Sequence, residues 1–129
     1  MYEVEVAWNG GSLANCSDAA GNSIEIDWEE NLSPVQVMVQ MAGLCSMIDI
    51  IVGMKHRRME NLKVRLSYER SETDPRFVTS VRMLFTMRTE PRHEKLLARL
   101  IDRSMSTYCS VSNTLNGVAK FDWDLIIES

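Results

Sequence analysis

The chain opens on alternation. In Tyr2-Glu3-Val4-Glu5-Val6-Ala7-Trp8 apolar and acidic side chains take turns, the period of two that buries one face of a strand and wets the other. Asn9-Gly10-Gly11 has turn chemistry, Ser12 to Cys16 reads as a weaker second strand, and a second turn falls near Ala20-Gly21-Asn22. Ser23 to Trp28 alternates again. Residues 1–30 are therefore expected to form a small antiparallel meander.

The pattern then changes. Ser33-Pro34 is a helix-opening pair, with Ser at the N-cap and Pro at the first helical position, where its missing N–H costs nothing. From Val35 to Met54 nearly every position is apolar, so the central helix (33–57 with its flanks) is expected to be covered on all sides. A stretch this long could span a bilayer. Gln36, Gln40 and above all Asp49 weigh against that, because an acid within lipid is expensive. A buried core helix is expected, and dimerisation across it would supply the cover.

Alternation returns at Leu62 to Tyr68 and, after the turn at Thr73-Asp74-Pro75, from Phe77 to Met87, with Phe77, Val81, Met83, Phe85 and Met87 on one register. Pro91 opens an amphipathic helix in which Leu96, Leu97, Leu100, Ile101 and Met105 share a face and Arg92, Lys95, Arg99 and Arg103 the other. A break near Tyr108-Cys109-Ser110 precedes a short helical turn ending at Asn116-Gly117, and Val118 to Ile127 is a last strand. The order βββ-α-ββ-α-β predicts an α+β fold: antiparallel sheets around a long buried central helix, in one domain over 1–129 with a ββαβ part from 62 onward.

Charge sharpens this picture. Net charge is −4, which argues against nucleic acid as a partner, since phosphate binding concentrates Lys and Arg. Residues 1–54 hold eight acidic side chains and no basic one, whereas 55–129 hold fourteen cations against ten acids. Such a chain is expected to mate one half against the other, within a protomer or between two. The opening Met1-Tyr2-Glu3 lacks a basic and then apolar leader, so a cytoplasmic protein with no membrane association is expected. Three scattered cysteines fit neither a secreted disulfide framework nor a metal site, and no cofactor motif occurs.

Cys45 lies within Ala42-Gly43-Leu44-Cys45-Ser46-Met47-Ile48-Asp49, in the middle of the apolar helix, where a free cysteine is most often a small hydrophobe. Cys109 stands at a helix start in Lys- and Arg-rich company, a setting that lowers a thiol pKa and leaves the sulfur partly exposed. Two segments taken together say more: Ser33-Pro34-x-x-Val37-Met38-Val39-x-Met41 through Asp49, and Tyr108-Cys109-Ser110-Val111-Ser112-x-Thr114-Leu115. Both resemble the osmotically inducible protein C / organic hydroperoxide resistance (OsmC/Ohr) family. Between them, Glu69-Arg70 through Asp74-Pro75-Arg76-Phe77 is similar to the hairpin carrying that family's Arg-x-x-x-x-Pro-x-x-Phe pattern.

The resemblance implies an intertwined homodimer that reduces hydroperoxides. Cys45 would attack the O–O bond and Cys109 would resolve the resulting sulfenic acid as a disulfide. An external dithiol, lipoylated or thioredoxin-like, would restore both thiols. Met38, Met41, Met47 and Met83 are candidates for an apolar lining that favours organic hydroperoxides. The chain departs from the family in one respect. The arginine that activates the thiolate from the N-terminal strands is missing, as is the carboxylate that holds it after the helix-opening proline, where Gln36 stands. That pattern resembles the branch lacking the arginine, and Arg70, Arg76, Arg92 or His56 are the cations that could substitute from a partner. Cys16 matches neither motif and reads as incidental. The alternative function on the same fold is a non-enzymatic small-molecule-binding or redox-sensing module.

Overall fold

The structure is a computed structural model and describes residues 2–128; Met1 and Ser129, the ends of the expected 1–129 domain, lie outside the described residues. The chain divides into two compact units, the first ending at Met38 and the second beginning at Val39.

In the first unit β1 (Val4–Trp8), β2 (Leu13–Asp18) and β3 (Ser23–Asp27) form the expected antiparallel meander in that order. The turns are built by residues suited to them. Gly10 and Gly11 take φ of 97° and 58°, a region closed to most side chains. Asp18 folds back to accept the amides of Ala20 and Asn22 at 3.0 and 2.9 Å. Val6, Cys16 and Ile24 stand directly opposite one another and share a face. Val4, Val6 and Trp8 remain 70–81% exposed, so β1's alternation has made an apolar face that nothing in this unit covers.

The helix α1 (Pro34–Met54) begins as its sequence predicts, with Ser33 Oγ accepting the Gln36 N–H at 3.2 Å. It ends where Lys55 turns to a left-handed φ of 55°. Beyond Val39, the second unit holds β4 (Glu60–Arg70), β5 (Val78–Arg88), α2 (Glu94–Arg103), α3 (Ser110–Leu115) and β6 (Lys120–Glu128). A 3₁₀ turn (Pro91–His93) leads into α2, and a π-helical turn (Ser104–Tyr108) leads out of it. The sheet order is β4-β5-β6.

Two expectations need correction here. The sheet is mixed rather than antiparallel: β5 pairs antiparallel with β4 but parallel with β6. The physical reason is the connection, since Thr89 to Ala119 carries two helices back across the sheet, the kind of crossover that a parallel pair requires. Phe77 also falls outside β5 and is 56% exposed, because its N–H is turned to the Pro75 carbonyl in the preceding loop. The rest of the predicted register holds, with Val81, Met83, Phe85 and Met87 all at most 2% exposed.

That register builds the core in rows. Leu66, Met83 and Trp123 align across the three strands, as do Val64, Phe85 and Leu125. Against this face packs α1, so closely that a Cβ on Gly43 would come 2.7 Å from Leu66 Cδ1. Gly53 lets α2 approach in the same way through Leu100. Buried residues of α1 are Val39, Ala42, Gly43, Ser46, Ile50 and Met54. At about 100° per residue these lie on one side of the helix. Met41, Leu44, Ile48, Ile51 and Val52 lie on the other and are 37–69% exposed. Within one protomer the helix is thus buried on one side only, and the other is the side that dimerisation is expected to cover. By length and mean hydropathy (1.8) it would also be able to cross a membrane.

Candidate active site

Cys45 and Cys109 come from distant parts of the chain, and the second unit brings them together. Cys45 is half-buried on α1, at the rim between its covered and open sides. Cys109 is reached through the π-helical turn: its N–H donates to Ser104 O at 2.7 Å, and its backbone then extends (φ −72°, ψ 106°) to cap α3. Single π turns of this kind commonly mark functional positions. Its side chain is completely buried, with Sγ 3.8 Å from the Ala42 carbonyl of α1. The two sulfurs lie close enough for each to shift the ionisation of the other.

The first turn of α3 supplies donors to both. The backbone amides of Val111 and Ser110 act to lower the Cys45 pKa, and the Ser112 N–H lies 3.4 Å from Cys109 Sγ. Burial pushes the Cys45 thiol above its ordinary value, and the neighbouring Cys109 sulfur pushes it further, more than those two amides offset. Burial also acts to raise Cys109. There it is outweighed by donors: Ser112 through its hydroxyl side and its N–H, then Cys45, then Ser46. The net result is a Cys109 thiol below its ordinary value. The resting pair is therefore polarised, with Cys109 the first to ionise and Cys45 the donor beside it.

Behind the sulfurs runs a buried hydroxyl network that the sequence did not disclose. Ser104 Oγ donates to Asp49 Oδ2 at 2.7 Å and lies 3.1 Å from Ser46 Oγ. Ser46 Oγ in turn lies 3.5 Å from Met105 Sδ. With one proton to give, Ser104 favours the charged carboxylate, which leaves the Ser46 proton for either sulfur or oxygen. Ser112 Oγ is buried and forms no hydrogen bond of good geometry, although it sits beside the Cys109 sulfur. Ser112 also lines a cavity of about 240 Å³, with Met105, Phe121 and Trp123. Asp49 and Ser46 fall inside the quoted helix motif, so their presence could be noted. Nothing in the sequence linked them to Ser104.

The setting of Cys109 differs from expectation. It is not partly exposed but completely buried, and the groups that act on it are Ser112, Cys45 and Ser46. Of the arginines named as substitutes, Arg70 donates through Nε to the Arg76 carbonyl at 3.0 Å and Arg92 pairs with Glu90. Of the four methionines, Met83 is fully buried, Met41 exposed, and Met38 and Met47 half-buried. Cys16 sits in the meander.

A long helix laid against a three-stranded sheet, with one thiol on it and a second at a helix start, defines an α+β protein with a dithiol centre. The chain matches the OsmC-like protein family over residues 27–124, and it belongs to that family. It is 29% identical over 115 residues to protein YhfA of Escherichia coli strain K12, covering 85% of this chain and 86% of that one. An OsmC-like protein from Mycoplasma pneumoniae superposes with a TM-score of 0.81 at 18% identity, over 100% of this chain and 98% of the other. The organic hydroperoxide resistance protein OhrB of Bacillus subtilis shares the fold at a TM-score of 0.61 and 13% identity, over 97% and 98%. Membership suggests a peroxide-related stress role.

Proposed function

We propose that this protein is a thiol-dependent reductase of organic hydroperoxides, in which Cys45 and Cys109 turn over as a dithiol/disulfide pair. The observation that carries it is the burial of the Cys109 sulfur against α1, 3.8 Å from the Ala42 carbonyl and beside Cys45, so that each thiol perturbs the other. Cys45 is the more accessible and meets the peroxide. Once Cys109 has ionised, it takes the Cys45 proton as the Cys45 sulfur attacks the distal oxygen. The O–O bond breaks, the alkoxide takes up from solvent the proton that Cys109 had released and leaves as an alcohol, and the sulfenic oxygen stays on Cys45. Cys109 then loses that proton and attacks the Cys45 sulfur, forming the disulfide and releasing water. The sum is two thiols and ROOH giving a disulfide, ROH and H₂O. An internal thiolate base thus takes the place of the missing arginine. An external dithiol returns the pair to the reduced state.

The protein works as a homodimer. A stripe of apolar side chains from Met41 to Val52 left open on a single helix is the kind of surface that a partner covers, and the acidic N-terminal third complements the basic remainder. A second copy fits better than lipid, since Asp49 stands beside this stripe. Cys45, at its rim, then lies at the edge of the interface. Titrating the reduced protein with cumene hydroperoxide and counting thiols tests the function. Two thiols should disappear per peroxide, and Cys109→Ser, which removes both the base and the resolving thiol, should react more slowly and stop at a sulfenic acid. If Cys45→Ser consumes peroxide as fast as the native chain, the function assigned here is wrong.

A further inference from the structure

The two ends of the disulfide that this function requires are unlike each other, and the difference gives its reduction a direction. Cys45 is half-buried at the rim of the open helix face, whereas Cys109 is completely enclosed. An incoming thiolate must align with the S–S bond and reach the sulfur it attacks, so access selects Cys45. The departing sulfur must hold a negative charge. At Cys109 the charge is met by the Ser112 N–H at 3.4 Å and by a Ser112 hydroxyl that is buried beside the sulfur with no other partner. A buried donor without an acceptor in the reduced protein gains one when Cys109 is a thiolate.

Building on the dithiol/disulfide function proposed above, we infer that the external reductant attacks Cys45 and expels Cys109, so that the mixed disulfide with the partner forms on Cys45 alone. One reductant thiolate bonds to the Cys45 sulfur while the Cys45–Cys109 bond breaks, and the electron pair leaves on Cys109. The second thiol of the reductant, deprotonated, then attacks its own mixed-disulfide sulfur and releases Cys45 as a thiolate, which takes up a proton. The reductant leaves oxidised and the protein carries two thiols. The lower pKa of Cys109 acts in the same sense, because the better leaving thiol departs faster. Ser112 thereby becomes a positioning residue for the leaving sulfur, a role none of the sequence motifs indicates.

The test uses the full oxidised protein. It is mixed with glutathione, quenched with acid and N-ethylmaleimide at intervals, and the glutathione adduct is located by peptide fragmentation. The expected result is glutathione on Cys45 and maleimide on Cys109. An adduct on Cys109, or equal adducts on both, overturns the inference while leaving the peroxidase function intact. If no Cys45–Cys109 disulfide forms with mild peroxide at all, the function itself has failed. Ser112→Ala separates leaving-group stabilisation from access. Reduction by dithiothreitol should slow roughly two- to fivefold, as expected for loss of one hydrogen bond to a developing charge, with the adduct still on Cys45. An unchanged rate would overturn the role of Ser112.

Discussion

Replacing Ser104 with alanine separates a structural hydrogen bond from a bystander. Ser104 is completely buried, and its hydroxyl bridges Asp49 on α1, at 2.7 Å, to Ser46 at 3.1 Å. A hydrogen bond to a charged acceptor contributes about 1.5–3 kcal/mol. Asp49 is only half-buried, so water recovers part of what the carboxylate loses. Ser46 is fully buried but keeps the sulfur of Met105 as an acceptor. The expected net loss is about 1–2 kcal/mol, or roughly 4–7 °C in Tm for a domain of this size. Urea titration of the reduced protein measures it, at one fixed protein concentration because association would move the midpoint. Asp49→Asn keeps an acceptor but removes the charge, and combined with Ser104→Ala it should show coupling of about 1 kcal/mol. A single-mutant effect under about 0.5 kcal/mol with strict additivity would refute the idea that this network ties α1 to the π turn.

Other consequences are as direct. Gly53→Ala should destabilise more than Gly43→Ala, since the new methyl meets Leu100 more closely than the other meets Leu66. Helix propensity returns about 1 kcal/mol in both cases against an overpacking cost of about 1–3 kcal/mol, and a reversed order in urea midpoints would contradict the packing described. Asp18 and Asp27 titrate below the ordinary carboxylate value, Asp18 chiefly because the Asn22 side chain donates to it and Asp27 because Ser12 does. Groups depressed in the fold stabilise it above the unfolded value, about 3.9, and that contribution is lost as pH falls through the folded one. Protection of the meander-turn amides, relative to their intrinsic exchange rates, should fall below about pH 4, and equal protection at pH 5 and pH 3 would tell against these bonds. The two thiols act with opposite sign. Cys109, depressed, stabilises above the ordinary thiol value and loses that contribution as pH falls through its folded value; Cys45, raised, stabilises below the ordinary value and loses it as pH rises through its folded one. pH-dependent alkylation read by mass spectrometry should place the Cys45 midpoint above that of Cys109, and coincident midpoints would remove the polarity of the pair.

What could be read from residues alone follows from range. The alternation of Val81, Met83, Phe85 and Met87, the Ser33-Pro34 helix start and the Gly10-Gly11 turn are local signals, and each strand and helix they predict is present. The parallel β5–β6 pairing is not local. It depends on which edge of β5 the chain returns to after α3, and alternation is the same for either direction. Cys45 and Cys109 were legible through their flanking motifs, as was their family. The hydroxyls were not, because Ser46, Ser104 and Ser112 acquire meaning only when α1, the π turn and α3 converge. One-sided burial of α1 was also hidden, since an apolar residue looks the same whether its own chain or another covers it.

The place of β5 has a consequence for synthesis. It is the middle strand of its sheet, yet one of its neighbours, β6, emerges only after α2 and α3. A nascent chain can pair β4 with β5 early, but the other edge of β5 stays unpaired while α2 and α3 are made. The thiols at Cys45 and Cys109 precede β6 and are available to oxidants during that interval. A chain ending at Ala119 should therefore aggregate through the bare edge of β5, as light scattering during refolding would report. Stable monodispersity of that truncation would mean that the edge is shielded by other means.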